Sequence, residues 1–243
     1  MIRLLTLGVV DLRDPAGRDL GAVLRQPKRL ALLAYLAVAA PRRFHRRDTL
    51  LGLFWPDLDQ EHARAALRRA LYYLRSELEP GVIAGRGDEE IAVPQEALWC
   101  DATELERAME LGEPERALDL YRGTLLEGLH VAGSAPELQQ WLDTERAHFR
   151  GRAATAARLL AERAEASGRL DDAARWGARV LELMPDDEPA LRRLIGVLDR
   201  SGDRPAAIRA YDEFTRRLRE ELDAEPSGET RALVEIVRRR AAA

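Results

Sequence analysis

A single cysteine, Cys100, in 243 residues rules out an internal disulfide and supplies too few thiolates for a zinc or iron–sulfur cluster, as suits a reducing cytoplasm. Proline and glycine are sparse, at 12 and 17. With 46% hydrophobic and 33% charged residues the composition is neither low-complexity nor disordered. The longest uncharged run before a proline, Leu30 to Ala40, has eleven residues and stops at Pro41. A bilayer span needs about 18 or more, so no membrane partner is expected. The apolar N-terminus, Met1 to Asp11, has neither a basic leader nor a small-residue cleavage site, and a cytoplasmic location is expected.

Catalytic signatures are missing too. No G-x-x-x-x-G-K-[ST] or G-x-G-x-x-G phosphate loop occurs, and Gly85-Arg86-Gly87 is too short to cradle a phosphate. His45, His62, His130 and His148 are scattered, without metal-like spacing to Cys100. Cys100 reads as buried linker packing rather than a reactive thiol. The pairs Asp171-Asp172 and Asp186-Asp187 fall at predicted helix starts, where they complement the dipole. No enzyme, cofactor or metal is expected.

An excess of positive charge is also lacking, since 38 Lys plus Arg face 42 Asp plus Glu, a net of −4. That average conceals an asymmetry. Residues 1–95 hold 15 basic and 12 acidic residues, net +3, and residues 96–243 hold 23 and 30, net −7. Within residues 25–75 eleven basic residues face four acidic ones, net +7. This pattern suits one domain facing nucleic acid followed by one acidic domain.

Secondary structure changes character near the same point. Short apolar runs at 2–12 and 19–24 around Asp14-Pro15-Ala16-Gly17 predict a β-hairpin. Three helices follow. The first starts at Pro27 and ends at Pro41, the second carries Leu50, Leu51, Phe54 and Trp55, and the third runs from about Asp59 to Leu78. The runs 82–84 and 90–93 flank Gly85 to Glu89 and predict a second hairpin.

From Asp101 onward the periodicity is helical. Ser167-Gly168 and Ser201-Gly202 lie 34 residues apart, and five residues after each Gly comes Ala173 or Ala207, an offset repeated by Gly112 and Ala117. A 34-residue period with a Gly turn and a small Ala between amphipathic helices is the tetratricopeptide signature; ordinary helical hairpins that reuse Gly and Ala are the alternative. The expected fold is mostly α, with an N-terminal winged helix-turn-helix at 1–95 and an all-α tetratricopeptide-like domain at 96–243.

The third helix carries Gln60, Arg64, Arg68, Tyr72 and Arg75 opposite its apolar stripe, with Arg69 beside them. A major groove admits one helix, Arg pairs with guanine and Gln with adenine. Gln60, Arg64 and Arg68 therefore fit base edges, and Arg69, Tyr72 and Arg75 fit phosphate or sugar. The alternative is a solvated face paired with Glu61, Glu77 and Glu79. In the turn before the second helix Arg42, Arg43, Arg46 and Arg47 could grip phosphates, with Phe44 as a core anchor. Arg86, at the predicted tip of the second hairpin, is placed either for a minor groove or for solvent.

The blocks Leu53-Phe54-Trp55-Pro56-Asp57-Leu58-Asp59, Ala63 to Arg75, Ala117 to Gly123, Trp141-Leu142-Asp143-Thr144-Glu145-Arg146, Gly202 to Tyr211 and Leu222 to Pro226 together resemble the SARP/BTAD family of bacterial transcriptional activators, in that family's order. The resemblance implies a response-regulator-type winged helix followed by a bacterial transcriptional activator domain. It also implies binding to double-stranded DNA at direct-repeat promoter sites, recruitment of RNA polymerase, and a homodimer on DNA. Where the family's helix often has a polar residue this chain has Ala65, a departure at a position of base readout. Trp141, Arg146 and Tyr121 match family blocks and serve either packing or a partner surface. The rival reading is a helical-repeat interaction scaffold without DNA binding.

Overall fold

The computed structural model describes residues 1–39 and 44–242. They divide into two compact units between Phe149 and Arg150. In the first unit, β1 (Ile2–Leu5) and β2 (Asp11–Arg13) form an antiparallel pair, followed by α1 (Gly21–Leu24) and α2 (Pro27–Val38). Then come β3 (His45–Arg46), α3 (Arg47–Phe54), α4 (Gln60–Glu77), β4 (Ala84–Arg86) and β5 (Glu90–Ala92). β6 (Leu98–Cys100), α5 (Asp101–Glu110) and α6 (Pro114–Leu120) follow, and α7 (Pro136–Ala166) crosses the division. One sheet has the order β2-β1-β6 and the other β3-β5-β4.

Local chemistry explains the helices. Pro27 stands in the first turn of α2, where it gives up no needed N–H, and Leu30, Leu32, Leu33 and Leu36 are buried. The side chain of Asp59 caps α4 by accepting from the His62 backbone N–H at 2.9 Å. Ala63, Leu67, Ala70, Leu71 and Leu74 recur every three or four residues and are buried, which turns the intervening arginines outward. Pro41 lies outside the described residues; α2 ends at Val38.

Both hairpins depart from their expected positions. The first reverses across residues 6–10, where Gly8 takes φ +93°, and the 19–24 arm is largely the helix α1. The 14–17 cluster is a local turn instead, in which the Asp14 carboxylate accepts from the N–H groups of Ala16 and Arg18. In the second hairpin the turn lies at 87–89, so Gly85 and Arg86 belong to β4. Cys100 lies not in a linker but in β6, which runs parallel to β1 with Ile2 opposite Leu98.

β6 belongs to a wider joint inside the first unit. Gly8 donates to the Thr124 carbonyl at 3.0 Å, and a Cβ on Gly123 would meet the Gly8 Cα at 2.8 Å, so only glycine permits this approach. The Trp141 ring stands edge-on to Tyr35 of α2 at 4.7 Å. Residues 96–149 thus pack on the winged helix. They also concentrate the negative charge, with 12 acidic and 4 basic residues, whereas residues 150–243 hold 18 and 19.

The second unit comprises the rest of α7 with α8 (Leu170–Leu183), α9 (Glu188–Ser201), α10 (Arg204–Leu222) and α11 (Gly228–Ala242). Gly168 and Gly202 adopt φ of +72° and +89° between successive helices, and Ala173 and Ala207 are buried where the helices approach. Leu191, Leu194, Ile195, Leu198, Phe214, Val234 and Val237 form the core of this repeat. The fold is mostly α: a winged helix-turn-helix followed by tetratricopeptide-like helical repeats.

Candidate nucleic-acid interface

α3, residues 55–59 and α4 form the helix-turn-helix, and the apolar stripe of α4 leaves its opposite face in solvent. Gln60, Arg64, Arg68, Arg69, Tyr72 and Arg75 are all exposed there, with Tyr72 at 78%. An aromatic ring so uncovered offers a flat surface to a partner and contributes little to the core. Among the described residues Arg46, Arg68, Arg69 and Arg75 make no ion pair, whereas Arg64 has only Asp48 at 3.9 Å.

The structure brings the turn and helix arginines together. Arg46, Arg47, Arg64 and Arg68 line a depression of about 400 Å³ that Asp48, Asp88 and Glu89 also border. Arg47 is half-buried, and its backbone N–H donates to the Glu89 carbonyl at 2.8 Å, which ties α3 to the hairpin. At the far end of α4, Arg75 Nη2 comes within 4.0 Å of the position a Cβ on Gly85 would take, beside β4. Arg42 and Arg43 lie outside the described residues.

Two expectations need correction. Arg86 is not at the hairpin tip but ends β4, paired with Glu90 and lying 4.7 Å over the Phe44 ring. Phe44 is not a core anchor, because its ring is partly exposed at the surface beneath Arg86. The aromatic inside is His45 instead, 5.2 Å from the Tyr35 ring; burial holds its imidazole below the ordinary value. At the head of α4, the backbone N–H of His62 and then its ring hold the Asp59 carboxyl below its usual range.

Cys100 is fully covered, and burial, then the adjacent Asp101 carboxylate, push its thiol up to about 12. The described residues contain no group of three or more side chains able to hold a metal ion, and no helix among them is long and apolar enough to cross a membrane.

The model of the bacterial transcriptional activator domain matches residues 95–238. The chain belongs to this family. That family is one of transcriptional regulators. Among solved structures, Mycobacterium tuberculosis EmbR in complex with a low-affinity phosphopeptide is similar, with a TM-score of 0.62 and 23% identity over 98% of this chain. At that identity the likeness concerns the fold, and this chain spans 65% of the EmbR chain. A comparison with curated proteins finds no match.

Family blocks coincide with the joint inside the first unit. Tyr121 is buried, Arg122 Nη2 lies 3.4 Å from Asp101, and Gly123 abuts Gly8. Arg146 donates to the carbonyls of Leu125 and Leu126 at 3.0 and 3.2 Å. Tyr121, Trp141 and Arg146 are therefore packing residues. No repeat spacing announced this, because two of the contacts, Gly123 to Gly8 and Trp141 to Tyr35, join positions more than a hundred residues apart.

Proposed function

We propose that this activator binds double-stranded DNA sequence-specifically by laying α4 in the major groove. Gln60, Arg64 and Arg68 read base edges, and Arg69, Tyr72 and Arg75 hold phosphate or sugar. Arg46 and Arg47, with Arg42 and Arg43, grip the backbone ahead of α3, and Arg86 enters the adjacent minor groove. The observation that carries this reading is the run of exposed arginines along one face of a capped helix, of which Arg68, Arg69 and Arg75 make no ion pair among the described residues and Arg64 only one, to Asp48 at 3.9 Å. An arginine-rich face used only for solvation would have its charges neutralised by neighbouring carboxylates, as many arginines of α8–α11 do.

On this reading residues 1–95 supply DNA contact and residues 96–243 contact RNA polymerase or a second protomer at direct-repeat promoter sites in the cytoplasm. Selection from random duplexes by the full chain, followed by sequencing, tests it. An enriched, directly repeated motif is expected, and Arg64→Ala should cost about 1–3 kcal/mol at that motif while relaxing one base preference. No enrichment, with no binding to any duplex at low salt, would establish the scaffold reading instead.

A further inference from the structure

Arg86 is held in place rather than merely exposed. Its Nε and Nη2 edge pairs with one oxygen of Glu90, and its flat face lies 4.7 Å above the Phe44 ring. Register explains the pairing. Glu90 stands in the central strand of the β3-β5-β4 sheet, directly opposite Arg46 on one side and Arg86 on the other. Residues directly opposite in antiparallel strands share a face, so two arginines flank one carboxylate in a single row.

We propose that Glu90 and Phe44 are positioning residues that pre-orient Arg86 for a narrow, A·T-rich minor groove beside the α4 site. The inference rests on the DNA-binding reading above. Glu90 occupies one edge of the guanidinium and Phe44 one face, leaving Nη1 and the opposite face without a partner among the described residues. The Arg86 side chain keeps 65% of its surface exposed while Glu90 keeps 24%, so the carboxylate is set back behind the cation it holds. An ion pair this exposed does little for folding. Its consequence lies in binding: a long, flexible side chain already fixed in direction loses less freedom when it meets a ligand. Glu90 also separates the Arg46 and Arg86 charges, which would otherwise repel across the row. A narrow minor groove carries the deepest negative potential on the duplex, and a single directed arginine senses its width.

The test uses the full-length chain and the duplex it selects. Hydroxyl-radical footprints of the wild type and Arg86→Ala locate the base pairs protected only when Arg86 is present. Those pairs are then replaced by a short A·T or G·C run, and the affinity ratio between the two duplexes is measured. The wild type should favour the A·T duplex by roughly fivefold or more, the size of one base-pair preference. Arg86→Ala, Glu90→Gln and Phe44→Leu should bring the ratio to within about twofold of unity, and Phe44→Tyr, which keeps the ring, should preserve it. Unchanged thermal midpoints and an unchanged footprint under α4 establish that the variants remain folded. A wild-type ratio retained in both Glu90→Gln and Phe44→Leu overturns the inference. So does tighter binding of Glu90→Gln to both duplexes at an unchanged ratio, since Glu90 would then restrain Arg86 rather than present it. A wild-type ratio near unity overturns it equally. In all three cases the DNA-binding reading survives; it fails only if the wild type selects no duplex.

Discussion

Asp101 Oδ1 accepts from both the backbone N–H and the hydroxyl of Thr6, each at 2.7 Å, across 95 residues of chain. Its Oδ2 accepts from the Leu7 N–H at 3.0 Å, and both Asp101 and Thr6 are fully buried. A carboxylate in that position gives the end of β1 the partners that sheet pairing does not supply. It thereby fastens the N-terminal strand to the first helix of the activator segment.

Removing that carboxylate should be costly. Asp101→Ala deprives three backbone N–H groups, of Thr6, Leu7 and Ala102, and the Thr6 hydroxyl of their carboxylate partner, and is expected to lower unfolding free energy by about 3–5 kcal/mol. The urea midpoint of the first unit, followed by tryptophan fluorescence, checks this; an unchanged midpoint would show that the joint is held elsewhere.

The contact between Gly8 and Gly123 leaves no room for a methyl group. Gly123→Ala places a carbon 2.8 Å from the Gly8 Cα, against backbone that cannot rotate aside. A loss of about 1–3 kcal/mol is expected, read as a lower thermal midpoint, whereas Gly151→Ala, where nothing lies within 4 Å, should not destabilise.

His45 makes stability depend on pH. Its folded value is depressed by burial, so the folded state binds fewer protons than the unfolded state as pH falls through the ordinary imidazole value of 6.5. Stability is therefore present above pH 6.5 and is lost as pH falls toward the folded value. His45→Phe should flatten this acid-side decline in denaturant midpoints measured across that interval, and an unaltered slope would assign the dependence to other groups.

The two classes of contact on α4 should separate in salt titrations. Arg69→Ala and Arg75→Ala are each expected to reduce the log–log salt slope by roughly 0.9 without altering the selected motif, and Gln60→Ala to alter the motif with little change of slope. Binding isotherms at several salt concentrations measure both quantities; a motif change in Arg75→Ala would place that residue on a base edge.

The α4 face was legible in the sequence because helical period alone decides which side chains share a face. Arg64, Arg68 and Arg75 fall within about 40° of one another around the helix, along the edge of the stripe of Leu67, Leu71 and Leu74, and their charge keeps them in solvent. The Gly168 and Gly202 turns were legible for a similar reason, since a left-handed residue between helices favours glycine and the repeat announces its spacing. Phe44 was misread because hydrophobicity predicts burial only on average, and an aromatic ring can instead be covered by a guanidinium.

What the sequence by itself determined was therefore local: the helices, their amphipathic faces, the repeat and the charge imbalance, all set by interactions within a few residues. Tertiary structure alone decided that β6 pairs with β1, that Asp101 serves Thr6, and that residues 96–149 pack with the winged helix. These depend on backbone groups and carboxylates meeting across about a hundred residues, and no periodicity records which distant donor a buried acceptor will satisfy.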